Sequence, residues 1–349
     1  MINDMERIDI LNNRLIGLVE SNYPIGAAQG KMSVIIYFYH LYRSCGEERY
    51  REIAESFLDQ LMEKDLSNQL PLDVEEGLCG VALGLDWLIR ERFVAGDINA
   101  LAADIDALLF KATVFGRLEE KYTVSQMIHF LYYIAIRLRE QTSADDRYVY
   151  QELAIKLVNK LGDLVDPGFY REYYSFSVYH YHVPLLLKTL AIVARQGFYT
   201  GRIEKLLERF SRDLFAHRPK FQLNRLYLLW GVLAINAELQ FPEWKRYADS
   251  LYRSIDLNRL LNEEVKDRNI YISDGLSFFY WIVESLRKDY PDLAFDYSPR
   301  LVYDRLVHSD AWNALERDPF YFQIHRGLLN GFPGVVLTML NLQNKYLCE

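Results

Sequence analysis

Glu76-Gly77-Leu78-Cys79-Gly80-Val81-Ala82-Leu83-Gly84-Leu85 and Leu329-Asn330-Gly331-Phe332-Pro333-Gly334-Val335-Val336-Leu337 open two apolar stretches in the same way: a glycine, two residues, a second glycine, then an aliphatic run. Each stretch is long enough for a helix and apolar on nearly every face, which requires burial on most sides. Glycines opening comparable stretches recur at Gly30, Gly77, Gly231, Gly275 and Gly331, at intervals of 47, 154, 44 and 56 residues. Because 154 is close to three times 51, two more repeats are expected between Gly77 and Gly231, opening near 128 and 180. Apolar stretches over 124–138 and 181–194 occupy those places, so the pattern is present seven times, with its marker glycine eroded in the third and fourth repeats.

Each apolar stretch is preceded by a helix of another kind. Over 47–64, 97–111, 145–161, 201–216 and 243–261, apolar residues return every three or four positions and charges fill the opposite face. That periodicity gives one buried stripe and one solvated side. Alternating amphipathic and all-round apolar helices predict an all-α chain, an α/α toroid of seven helical hairpins with apolar helices inside and amphipathic ones outside. The last apolar helix is as apolar as the middle ones, whereas an open solenoid needs a polar terminal cap. Closure into a ring, as a single domain over 1–349, is expected. Glycine at the starts of the inner helices permits close backbone approach, and those starts are expected to gather unpaired N–H groups and positive dipole ends at one rim.

Composition narrows the function classes. The 349 residues carry a formal net charge of −8, with 50% hydrophobic and 25% charged residues. The short basic runs 90–92 and 137–139 are interrupted by acidic or apolar residues and read as solvated helix ends, so no basic face for nucleic acid is expected. Cys45, Cys79 and Cys348 are odd in number and widely spaced, which is no disulfide framework and suits a reducing compartment. The polar N-terminus is not a secretory signal, and no apolar run has membrane-spanning length. A cytoplasmic protein is expected. The 26 Tyr, 19 Phe and 5 Trp are an unusually heavy aromatic load.

The two quoted helix openings resemble those of the lanthionine synthetase C-like (LanC-like) family, and the seven-fold spacing extends the likeness over essentially the whole chain. The resemblance implies the toroid, and a family whose enzymes add peptide cysteine thiolates to dehydrated Ser or Thr residues at a zinc held by two Cys and one His. Zinc suits that chemistry because it lowers the pKa of a bound thiol and holds it as a nucleophile. The family pattern places Trp-Cys-Tyr-Gly in the fifth repeat and Cys-His-Gly in the sixth. Anchored on glycine, this chain reads Leu228-Leu229-Trp230-Gly231 and Ile272-Ser273-Asp274-Gly275. Leu229, Ser273 and Asp274 therefore stand where the resemblance implies the three ligands, and no zinc site of the family type is expected. An Ala-His-Gly-type motif of the family's fourth repeat falls near Tyr179-His180-Tyr181-His182-Val183-Pro184: anchored on Pro184 the family histidine falls on Tyr181, and a register one residue earlier puts His180 there.

These residues leave several readings. His180 and His182 share a face only if the segment is extended, where they could form a metal pair; otherwise they are candidate acid/base groups, or loop-packing histidines. Ser273 and Asp274 precede a helix and suit helix capping, or a ligand-binding role for both, in which Asp274 would bind a cationic group of a peptide or act as a catalytic carboxyl. The aromatic segment 169–182 suits packing under a long loop, or peptide recognition through Tyr174, Tyr179 and Tyr181, with Trp230 a further binding candidate. The leading expectation is a LanC-like protein without zinc or other cofactor that binds a peptide or protein in the maturation of modified peptides. Against it stands an active enzyme on the same ring. It would be either a cyclase with a rearranged site, which would need zinc, or a carbohydrate-active enzyme pairing Asp274 with Asp73, Glu75 or Glu76. A pure scaffold would instead show an exposed apolar patch on its outer helices, which the charges there argue against.

Overall fold

A computed structural model describes residues 4–19, 23–63, 71–116, 118–165 and 167–346. Among these residues the protein is helical, with one isolated β-bridge between Arg326 and Gly331. Seven amphipathic-then-apolar pairs follow one another. The apolar members are Lys31–Cys45, Leu78–Arg90, Val124–Glu140, Val183–Arg195, Gln222–Leu239, Leu276–Asp289 and Phe332–Tyr346. The expected openings near 128 and 180 fall at 124 and 183.

The two helix types differ as their sequences require. Glu48–Met62 buries Tyr50, Ala54, Phe57 and Leu61, one stripe at helical spacing. Burying each such large apolar side chain is worth about 1.5–3 kcal/mol. Leu78–Arg90 instead buries nine of its residues, from Leu78 through Leu88.

The chain divides into two compact units. The first comprises Met1–Gly96, Val265–Trp281 and Asp296–Glu349. In it Phe332–Tyr346 packs on Lys31–Cys45, which also packs on Glu48–Met62 and Leu78–Arg90, so the last apolar helix of the chain meets the first. The second unit comprises Asp97–Glu264 and Ile282–Phe295. There Val183–Arg195 packs between Val124–Glu140 and Gln222–Leu239.

In the first unit the segments leading into the apolar helices cap them with main-chain carbonyls taken from a fixed distance upstream. Lys31 and Met32 donate to Pro24 and Ile25, Leu78 and Cys79 to Pro71 and Leu72, Leu276 and Ser277 to Asn269 and Ile270, and Phe332 to His325, over 2.7–3.2 Å. Each donor lies seven residues beyond its acceptor. The segments are also joined to one another. Ala28 N donates to Glu75 O, Leu329 N to Ala28 O and Ser273 N to Leu329 O. The openings therefore do not gather unpaired N–H groups as expected, because the preceding loop has already satisfied them. Glycine allows this. A Cβ on Gly275 would fall onto the Asn269 carbonyl, and one on Gly77 onto that of Pro71.

The marker glycine of the fifth repeat behaves differently. Gly231 lies in the middle of Gln222–Leu239 and opens nothing; it is a glycine because a Cβ would stand 2.6 Å from the Pro184 carbonyl oxygen of the neighbouring helix.

Candidate functional site

The candidate residues fall in both compact units, and each group stands within its own.

In the first unit Ser273 and Asp274 lie in the turn before Leu276–Asp289. Neither caps that helix, because Asn269 and Ile270 supply its caps. Ser273 is buried and fixed: its N–H donates to Leu329 O at 2.8 Å, and its Oγ to Asn330 Oδ1 at 3.2 Å. Asp274 is less well served. Its Oδ2 accepts from Asn269 Nδ2 at 3.3 Å, while its Oδ1 is buried with no hydrogen-bond partner. Burial pushes the Asp274 carboxyl up to about 6, against the opposing hydrogen bonds from Asn269 and the Tyr271 backbone. Beside it, Tyr271 and Tyr321 both stack on His325, with ring centroids 4.7 and 4.1 Å from the imidazole. The Tyr271 hydroxyl donates to that of Tyr321 at 3.0 Å. Burial lowers the His325 pKa, and its Nδ1 faces the Tyr321 carbonyl at 3.0 Å.

In the second unit the segment 169–182 divides by residue. Tyr170, Phe176 and Tyr181 are buried, while Tyr173 and His180 are exposed and Tyr174 is 100% exposed. Packing and presentation thus coexist, and the buried rings anchor the exposed ones. Glu172 pins the segment. Its carboxylate accepts from Lys220 N at 2.6 Å, Phe221 N at 3.2 Å and Asn224 Nδ2 at 2.7 Å, so it caps the start of Gln222–Leu239. A carboxylate there also suits the helix dipole.

His180 and His182 do not form a pair. His180 stacks on Tyr173 at 4.6 Å, whereas His182 turns toward Phe169 at 6.4 Å. Burial lowers the His182 pKa to about 4, with His129 and His180 adding to the effect. Tyr179 is half-buried, and its N–H donates to Ser177 Oγ at 3.2 Å. The Tyr181 hydroxyl is buried without a partner. Leu229 is fully buried inside its helix. Trp230, one residue on, is half-buried; its Nε1 donates to Ser285 Oγ at 3.2 Å, and the Lys188 ammonium stands 5.0 Å over its ring.

Sequence reasoning does not reach His325, Tyr271 and Tyr321, and it takes in Tyr173 and Glu172 only as members of the segment 169–182. For His325 a signal existed: it lies seven residues before Phe332, as Asn269 lies seven before Leu276.

The side chains at the three positions where the resemblance implies ligands do not fit a zinc ion. Leu229 has no donor atom, Ser273 is hydrogen-bonded away, and Asp274 has no Cys or His beside it in the turn. Among the described residues no group of three or more His, Cys, Asp or Glu is placed to hold a metal ion. Cys45 is exposed and Cys79 buried, while Cys348 lies outside the described residues. No helix among the described residues is long and apolar enough to cross a membrane.

No family model and no curated protein matches this chain. Among solved structures it is similar to a nisin cyclase, with a TM-score of 0.66 and 12% sequence identity over 98% of this chain and 94% of the other. At that identity the likeness shows the fold, the α/α toroid that the repeats predict.

Proposed function

We propose that this chain is a single LanC-like domain that binds a peptide, in the maturation of a modified peptide, and that it works without the family's zinc. The observation that carries the reading is the segment 169–182. It is fastened by Glu172 and three buried rings, yet it holds Tyr173, Tyr174 and His180 out to solvent. Exposed aromatic side chains on a pinned backbone bind with little ordering cost, because the backbone is already fixed and a tyrosine has only two side-chain torsions to lose. The likeness to a nisin cyclase supports a peptide as ligand, since that protein's name joins its activity to a peptide. The residues at 229, 273 and 274 support a role that does not require metal-activated thiolate.

Binding is tested with a fluorescein-labelled dehydrated nisin precursor peptide, read by fluorescence anisotropy. The expected result is saturable binding that Tyr173→Ala combined with Tyr174→Ala weakens about tenfold or more, the usual scale for aromatic contact residues. Absence of binding, or an unchanged affinity in the double variant, overturns the assignment. Metal analysis of the purified protein addresses the second half: one tightly bound zinc per chain would refute it.

A second reading rests on Asp274. A carboxyl pushed up to about 6 with an unpartnered oxygen has the character of an acid/base group. On that reading the chain turns over a peptide or glycan, and Asp274→Asn abolishes turnover while leaving the fold intact.

A further inference from the structure

The amphipathic helix Ala103–Phe115 is apolar on two faces. One face packs inward through Ile105, Leu109 and Thr113. The opposite face presents Ala103, Ala107, Phe110 and Val114, all exposed, and Phe115 beyond them is 78% exposed. These four positions are spaced four, three and four residues apart, so they form one straight stripe about 17 Å long at a rise of 1.5 Å per residue. Asp104 and Lys111 are exposed along one flank of it. Asp106, by contrast, is turned inward to Arg137 at 2.9 Å and takes no part. A solvated outer helix gains nothing from such a stripe, and the stripe has features that identify what covers it.

The order along it is small, small, large, large: alanine at 103 and 107, phenylalanine and valine at 110 and 114. Two such helices laid antiparallel about a two-fold axis set Ala103 against Val114 of the other copy and Ala107 against Phe110. Every bulky side chain then meets a small one. The same operation brings Asp104 alongside Lys111 of the other copy on the shared flank, twice by symmetry. The surface is complementary to itself in size and in charge, as an isologous interface must be.

We propose that this stripe joins two copies of the chain, helix to antiparallel helix. One helix pair makes an interface at the small end of the range for specific association, so the dimer forms reversibly and its fraction rises with concentration. The full chain is measured by sedimentation velocity across a concentration series. Expected is a monomer–dimer equilibrium that Phe110→Glu weakens by tenfold or more with an unchanged circular dichroism spectrum, the side chain being exposed. Lys111→Asp alone weakens it several-fold, and Asp104→Lys combined with Lys111→Asp restores it. A wild-type chain that stays monomeric throughout the series overturns the proposal, as does a dimer indifferent to Phe110→Glu. A dimer that Phe110→Glu breaks but the charge exchange fails to restore overturns the antiparallel arrangement.

Discussion

Gly275→Ala should be costly out of proportion to the single methyl group it adds. The new Cβ would fall onto the Asn269 carbonyl, whose oxygen accepts from Leu276 N at 3.0 Å, while the adjoining Ile270 carbonyl accepts from Ser277 N at 3.1 Å. The loop can yield only by withdrawing those caps. Two backbone hydrogen bonds at about 0.5–1.5 kcal/mol each, with about 1–3 kcal/mol for overpacking, put the loss at about 2–6 kcal/mol. Gly17→Ala is the internal control. Gly17 is exposed in Asp4–Val19, and a Cβ there meets nothing within 4 Å. Replacing a helical glycine by alanine at such a site gains about 0.5–1 kcal/mol. The same substitution should therefore lower stability at one glycine and raise it at the other. Urea unfolding followed by far-ultraviolet circular dichroism reads both signs. A Gly275→Ala variant that unfolds at or above the wild-type midpoint would refute the account of the helix starts.

Two further outcomes follow from the sites. Asp274, raised by burial from 3.8 to about 6, holds its proton more tightly folded than unfolded, so its contribution is full below about pH 4 and is lost as pH rises through 6. Asp274→Asn should be the more stable protein above neutral pH, by about 2–3 kcal/mol. The two should converge near pH 4; thermal unfolding across pH checks this, and a constant difference would contradict it. Glu172→Ala removes three hydrogen bonds from the start of Gln222–Leu239 and should lower stability by about 1–3 kcal/mol. It should also expose residues 171–182 to limited proteolysis; a variant as resistant as wild type would separate Glu172 from the order of that segment.

The seven pairs were legible because helix type is written in periodicity: Glu48–Met62 repeats its apolar residues along one stripe, whereas Leu78–Arg90 is apolar all round. Gly231 misled because a glycine in an apolar run looks alike whether it starts a helix or clears space for a neighbour. What distinguishes the two is the Pro184 carbonyl opposite, 47 residues away in sequence. Ser273 and Asp274 have the composition of caps, but Asn269 and Ile270 had already supplied the acceptors through main-chain atoms that no residue type announces. The segment 169–182 read as packing or recognition, and it is both, divided residue by residue in a way its aromatic density does not encode. On Ala103–Phe115 the charges of Asp104, Asp106 and Lys111 suggested an ordinary solvated face, but Asp106 points inward and an apolar stripe takes the outer side.

The segments that tie the helix openings of the first unit together do so through peptide groups, from Ala28 to Glu75, from Leu329 to Ala28 and from Ser273 to Leu329. A scaffold stitched by its main chain makes few demands on side chains beyond a handful of glycines. Residues such as Asp274 and His325 can then be exchanged with little penalty to the architecture, which leaves this part of the molecule open to acquiring or shedding chemistry while the helices around it stay in place.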